Sequence, residues 1–219
     1  MRVLSVNLAH PFTTPHTSAE GGLTGIDKRP ADGPVTVTAP ASGGRSGLAG
    51  DLIGDPAFHG GPDKAVYAYA REDLDRWENE LGRPLANGIF GENLTTGGIA
   101  VSDVRIGERW RIGGTLLLEA TSPRIPCRTF AAWLEERHWV KRFTQAGAPG
   151  VYLRVLEPGT VRAGDLVEVV ERPGHEVSVE FVFRAVTGAT GLRPRVIAAG
   201  EALGAEELAL ARRWAAAAS

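Results

Sequence analysis

Cys127 is the chain's one cysteine. It follows Pro126 and stands between Arg124 and Arg128, just ahead of Phe130, Trp133 and Leu134, whose spacing predicts a helix. Flanking cations and a helix start both favour the thiolate, the form that attacks as a nucleophile or binds a soft metal. An unpaired cysteine is also a common small core residue, and the local sequence leaves both roles open. A second cluster, FHGGPDK at 58–64, precedes the apolar run AVYAYA. Gly60 and Gly61 let a backbone approach a ligand and can turn N–H groups toward an anion. His59 and Lys64 add donors and positive charge, with Asp63 just before Lys64. The alternative is a tight turn with exposed charges.

A third cluster, FGENL at 90–94, puts Glu92 and Asn93 in a stretch that reads as extended. Both residue types are depleted in strands, so they either face a polar pocket or mark an edge turn. A fourth, GLTGIDK at 22–28, sets Thr24 and Lys28 on a polar strand with a basic end, for which a solvated surface is the plainer reading. The remaining histidines, His10, His16, His138 and His175, read as surface or partly buried groups.

Several chemistries are excluded. No two glycines are separated by a single residue, so the G-x-G-x-x-G dinucleotide fingerprint is absent, as are a phosphate-loop motif, H-E-x-x-H and G-x-S-x-G. One cysteine cannot form an internal disulfide, a multi-thiolate zinc site or a four-thiolate iron–sulfur centre. The 219 residues carry 24 Lys+Arg against 26 Asp+Glu, a net charge of −2, which argues against a whole-surface nucleic-acid footprint. No apolar run is long enough to span a membrane, and the start is too polar for a signal-peptide core. A cytoplasmic enzyme or binding protein is the expectation.

Short strands must position these clusters. Strands are predicted at 2–8, 23–26, 35–38, 65–70, 89–94, 151–156 and 166–171, with a hairpin of 109–112 and 115–121 about Gly113-Gly114. A helix at 71–81 has acids in its first turn and ends at Gly82; another covers 138–146 and is closed by Gly147. Residues 177–186 fit both an alternating strand and a helix capped by Ser178. Pro194 sits at a plausible first helical position, and 205–217 is a strong helix.

In this order the clusters resemble the MOSC family, the domain named after the C-terminal part of molybdenum cofactor sulfurases. Within it they are similar to the bacterial subgroup that includes the 6-hydroxylaminopurine reductases. The matching pieces are GLTGIDK, FHGGPDKAVYAY at 58–69, FGENL, GERWRIG at 107–113, SPRIPC at 122–127 and GVYLRVLEPGTVRAGD at 150–165. Residues 38–50 are richer in small residues than that pattern. The resemblance implies an α+β, predominantly β fold, with a strand-rich barrel-like domain over 1–176 and a three-helix subdomain over 177–219. It favours helix at 178–186.

It also implies a molybdenum cofactor, the metal held by the dithiolene of a phosphate-bearing pterin (molybdopterin). Cys127 is then the candidate catalytic residue and metal ligand. Arg124, Lys64, His59 and Lys28 would offset the cofactor's negative charge, with Thr24 beside them. Gly60 and Gly61 would offer backbone N–H groups, and Asn93 an amide for the pterin edge. Asp63 and Glu92 would orient those donors. The implied reaction removes oxygen from N-hydroxylated substrates such as hydroxylamino purines; the alternative is a carrier of sulfur, as a Cys127 persulfide, or of the cofactor itself. A separate redox protein, expected to be a flavoprotein, would supply electrons, with Arg193, Arg195, Arg212 and Arg213 as a candidate docking surface. Structural bracing is the other role open to those helices. Cys127 is expected in a pocket lined by Arg124 and residues 59–64.

Overall fold

The computed structural model describes residues 1–41, 45–55 and 59–217. Phe58 of the second cluster lies outside the described residues, as do 42–44 and 218–219. In chain order the strands are β1 (Arg2–Ala9), β2 (Phe12–Thr13), β3 (Leu23–Thr24), β4 (Lys28–Pro30), β5 (Val35–Val37), β6 (Val66–Ala70), β7 (Leu94–Gly97), β8 (Arg109–Ile112), β9 (Leu116–Pro123), β10 (Val151–Glu157), β11 (Gly159–Val161) and β12 (Val167–Glu171). The helices are α1 (Arg71–Leu81), α2 (Arg128–Leu134), α3 (Trp139–Ala146), α4 (Val179–Thr187) and α5 (Ala205–Ala216), with 3-10 segments at Pro62–Lys64 and Thr190–Ala202 among others. Among the described residues no helix is long and apolar enough to cross a membrane.

Eight strands form one mixed sheet in the order β12-β8-β9-β10-β6-β7-β1-β4. Only the β6–β7 pair is parallel, joined by α1 as its crossover. The sheet curls: an isolated bridge pairs Arg2 with Leu166, just ahead of β12. Beside that bridge the Val3 N–H donates to the Asp165 carbonyl at 2.9 Å and the Val167 N–H to the Met1 carbonyl at 3.1 Å; the fold is α+β, with a large sheet and several helices.

The elements follow from their residues. In α1, Leu74 and Trp77 are buried, Glu72 and Asp73 stand at the positive end of the helix, and Gly82 closes it in the left-handed conformation (φ 66°). The ambiguity at 177–186 resolves as helix. The Ser178 hydroxyl accepts a hydrogen bond from the Phe181 N–H at 3.1 Å, and Val179, Val182, Phe183 and Ala185 turn one buried face inward. Val179, Val182 and Ala185, with Val196, Ala199, Leu208 and Ala211 further on, share the apolar core of the sheet, while Phe183 joins the aromatic cluster.

The expected strand at 89–94 is replaced by a turn, and β7 begins only at Leu94. Glu92 is the reason. Its fully buried carboxylate accepts the N–H of Gly88 at 2.6 Å, the N–H of Phe90 at 3.0 Å and the Thr95 hydroxyl at 2.8 Å. That collects the backbone around one side chain and denies it to a strand ladder. Gly88 takes φ 90°, and a Cβ there would stand 2.3 Å from the Lys28 carbonyl oxygen, so only glycine fits. The turn drives Phe90 into an aromatic core, with ring centroids 5.0 Å from Tyr69, 5.1 Å from Phe130 and 5.5 Å from Trp139.

Two stability outcomes follow. Phe90→Ala empties the centre of this cluster and should cost about 4 kcal/mol in denaturant unfolding. Ser178→Ala removes one cap bond at a helix already packed on the core and should cost about 1 kcal/mol.

Candidate functional site

A cavity of about 620 Å³ opens where α2, the 22–28 segment, the 59–64 turn and the first turn of α5 meet. Thr24, Lys28, His59, Gly60, Lys64, Asn93, Arg124 and Cys127 line it; Gly61, Asp63 and Glu92 do not. The expected grouping of Cys127 with Arg124 and the 59–64 turn is therefore present.

Cys127 ends the loop that leaves β9 and caps α2, partly exposed on the cavity wall. Arg124, three residues earlier, is 5% exposed. Its guanidinium carbon lies 4.0 Å from the Phe130 ring centre and 5.3 Å from that of Tyr67, and Nη1 donates to the Phe90 carbonyl. Its Nε is buried with no hydrogen-bond partner among the described residues. A buried guanidinium in a cavity lining suits an anionic acceptor.

Lys28 is buried too. Its ammonium meets Asp51 at 2.5 Å, and Asp51 also accepts from Ser46 (2.6 Å), Asn93 (2.8 Å) and the Ala9 N–H (2.9 Å). Burial alone would raise the Asp51 carboxyl, but the Lys28 charge and the bonds from Lys28, Ser46 and Asn93 hold it below its ordinary value, while burial lowers the Lys28 ammonium against the pull of Asp51. Asn93 is committed at both ends: Oδ1 accepts the Tyr67 N–H at 3.1 Å while Nδ2 serves Asp51. Its amide braces the wall and is not open for a ligand edge as arranged here.

His59 differs from expectation. Burial, then the cations Arg124 and Lys64, push its imidazole down to about 4, with Asp55 opposing. At neutral pH it is uncharged, its Nδ1 3.3 Å from the Tyr152 hydroxyl. It offers a hydrogen-bonding group where positive charge was expected. Lys64 is cationic and pairs with Glu206 at 2.8 Å.

The residues outside the cavity support its walls. The Gly61 N–H donates to the Arg45 carbonyl at 3.0 Å, which removes it as a ligand donor, whereas Gly60 lines the wall at φ 78°. Asp63 accepts the Ala205 N–H at 2.9 Å at the start of α5 and pairs with Arg154 at 3.1 Å. It joins the 59–64 turn to the last helix. Glu92 acts through the Phe90 carbonyl that holds Arg124. Both are orienting groups, Asp63 toward a helix and Glu92 toward Arg124.

Sequence reasoning missed Asp51, Tyr67, Tyr152, Glu206 and Glu207, all at or against the cavity. The glutamates read as acids opening a helix, and the tyrosines as strand residues; no local signal marked Asp51. Of the four arginines considered for docking, Arg195 pairs with Glu176, Arg212 pairs with Glu201 at 2.7 Å, and Arg193 lies 5.3 Å over the Trp214 ring.

The MOSC domain family model matches residues 55–168, just over half of the chain. The chain belongs to the MOSC domain family. The match takes in the 59–64 turn, FGENL and Cys127. Protein YflK of Bacillus subtilis is 38% identical over 182 residues, 83% of this chain and 79% of that one. A protein named "Reductase" in Gibberella moniliformis is 33% identical over 164 residues, 74% of this chain but 28% of that one. The crystal structure of YiiM from Geobacillus stearothermophilus superposes with a TM-score of 0.77 at 29% identity, covering 97% of this chain and 98% of that one. That likeness runs through the C-terminal helices, beyond the matched domain.

The charge state of His59 sets a pH dependence. An unfolded histidine titrates near 6.5 and the folded one at about 4, so between these values the unfolded chain binds more protons. Stability therefore falls as pH drops from 6.5 toward 4, by at most about 3 kcal/mol from this group. His59→Gln should flatten that part of the profile, read by urea unfolding across the range; an unchanged acid limb would assign the loss to other groups.

Proposed function

We propose that this protein binds the molybdenum cofactor in the Cys127 cavity and reduces N-hydroxylated compounds such as hydroxylamino purines. The observation that carries the reading is one cavity lining that holds both a soft sulfur donor, Cys127, and a buried guanidinium, Arg124. A thiolate suits a soft metal, and a guanidinium suits a phosphate-bearing anion. Among the described residues no three His, Cys, Asp or Glu side chains cluster as a metal cage, so a metal held here would bring most of its own ligands. The donor set thus fits a metal carried by a dithiolene. A relative named as a reductase supports the reaction class, and the family's name supports the cofactor.

In this reading Cys127 supplies a protein sulfur ligand. Arg124 and Lys28 provide the positive field for the anionic group, and the backbone at Gly60 lets it come close. His59 and Tyr152 form a neutral hydrogen-bonding pair that positions the reacting group without adding charge. When bound, the cofactor supplies two-electron redox chemistry. The overall change breaks the N–O bond of R–NHOH, takes up two electrons and two protons, and gives R–NH2 and water. The electrons come from a separate redox protein, since the chain has neither a dinucleotide fingerprint nor thiolates for a cluster. A cytoplasmic setting suits such a donor.

Purification from cells able to make the cofactor tests this. Stoichiometric molybdenum with pterin fluorescence, and reduction of a hydroxylamino purine with an artificial donor, are expected. Persulfide on Cys127 without metal would instead identify sulfur transfer. Cys127→Ser should lose metal and activity together while costing less than about 1 kcal/mol in stability, because the side chain is partly exposed and the swap nearly isosteric. Full activity in the folded serine variant would refute the ligand role.

A further inference from the structure

We propose that the hairpin loop at 14–22, between β2 and β3, is a strap across the cavity mouth that selects by size what reaches Cys127. His16, Thr17 and Ser18 of this loop line the cavity together with Cys127. The loop is held from two sides. On the α2 side, the two residues that follow Cys127 reach over to it. The Thr129 hydroxyl donates to the His16 carbonyl at 2.9 Å, and Arg128 donates through Nη2 to the Pro15 carbonyl at 3.1 Å and through Nε to the His16 carbonyl at 3.4 Å. On the other side the Ser18 hydroxyl donates to the Asp55 carboxylate, and the Asp55 carbonyl accepts the His59 N–H at 3.0 Å. The loop therefore runs from the residues beside the sulfur to the residue that holds the start of the His59 turn, and all of them belong to the lining of one cavity.

The base of the loop is fixed, while its tip is held by polar groups at the surface. Phe12 and Thr13 pair with Thr24 and Leu23, the Thr14 N–H donates to the Gly22 carbonyl at 2.8 Å, and the Phe12 ring lies 5.6 Å from that of Trp133 on α2. Gly22 has φ 71°, and a Cβ there would stand 2.9 Å from the Thr14 carbonyl oxygen, so this closure needs glycine. β3 is in turn packed backbone to backbone: a Cβ on Gly54 would stand 2.3 Å from the Leu23 carbonyl oxygen. From 15 to 20 every residue is exposed or half-buried. Lifting that tip uncovers little apolar surface and exchanges surface hydrogen bonds for bonds to water, which costs little. Closed, the tip narrows the mouth over a thiol that is itself only partly exposed. A small molecule passes; a bulky one waits until the tip swings away. Access to the sulfur is controlled in this way whatever chemistry Cys127 performs, so the strap does not rest on the reductase reading.

Cys127 is the chain's one thiol and serves as the reporter. The purified full chain, without cofactor, is alkylated with N-ethylmaleimide and with the bulky N-(1-pyrenyl)maleimide. Both react by the same chemistry and neither carries charge, so their rate ratio cancels changes in the thiolate. Measured against the same ratio for glutathione, the folded protein should disfavour the pyrenyl reagent by about tenfold or more, because that reagent must wait for the open fraction. Ser18→Ala and Thr129→Val each release one latch bond, on different sides of the cavity, and each should raise the relative pyrenyl rate about fivefold. Replacing residues 15–20 by two glycines keeps the base of the hairpin and should remove the size discrimination. Thermal melts confirm that each variant is folded. A wild-type protein that shows the glutathione ratio overturns the proposal, as does a folded, shortened chain that keeps the wild-type ratio. If the shortened chain loses the discrimination while both point variants keep it, the strap stands and the Ser18 and Thr129 latches are wrongly assigned. Neither cofactor nor substrate enters the measurement, so its failure leaves the reductase reading as it was.

Discussion

The turn at 88–93 ties the apolar interior to the cavity. Its organising contact is the buried Glu92 carboxylate, which gathers two backbone N–H groups and one hydroxyl. Burial works against its charge and those donors work for it. Once formed, the turn does two things. It drives Phe90 among Tyr69, Phe130 and Trp139, and it presents the Phe90 carbonyl to Arg124. The guanidinium is thus held by a carbonyl on one side and by the Phe130 ring on another. Three residues on, Cys127 begins α2, whose Phe130 belongs to the same cluster. Sulfur and guanidinium are fixed relative to each other because both hang from one aromatic core.

A second coupling runs through the 59–64 turn. Asp63 bonds the first N–H of α5 and Lys64 pairs with Glu206 on it. Gly61 closes the turn on Arg45. Each of these looks like a ligand-binding group when read as a residue type, and each is used to hold protein to protein. What remains for a ligand is the face the turn turns outward, with Gly60 and the His59 ring in the cavity lining. The buried Lys28–Asp51 pair plays a similar part across the cavity, where Asn93 and Ser46 complete the carboxylate's shell. Such a pair adds little net stability against an apolar replacement, but it defines one arrangement of the wall.

The elements most legible in the sequence were those with local causes. α1 follows from its apolar spacing, acidic start and Gly82; the β8–β9 hairpin follows from Gly113-Gly114; α5 follows from its composition. The gathering of Cys127, Arg124, His59 and Lys64 in one cavity lining is what the family resemblance implied, through an anionic ligand that needs its counter-charges together; residue types alone left it open. An edge turn at 90–94 was one of two readings left open by the strand-depleted Glu92 and Asn93; its cause was not legible, since alternation patterns do not register a carboxylate bonding to its own backbone. The neutral state of His59 was hidden for another reason. Residue type fixes a reference proton affinity, while burial beside two cations fixes the actual one, and only the fold supplies that burial. Asp51 has no motif, and its importance lies in four partners drawn from 9, 28, 46 and 93.

The C-terminal helices are part of this logic. Two roles were open for residues 177–219, bracing and docking. Their apolar faces join the sheet's own core through Val179, Val182, Ala199, Leu208 and Ala211. Arg195 and Arg212 pair with Glu176 and Glu201 at the surface, Arg193 lies over Trp214, and Arg213 is exposed. Meanwhile α5 sends Glu206 and Glu207 to the cavity and takes its N-terminal hydrogen bond from Asp63. A segment that only braced would not need acids at its one contact with the site, where Lys64 and a buried carboxyl meet. The geometry makes these helices a wall of the cavity as well as a support, since Glu206 and Glu207 at the start of α5 both line it.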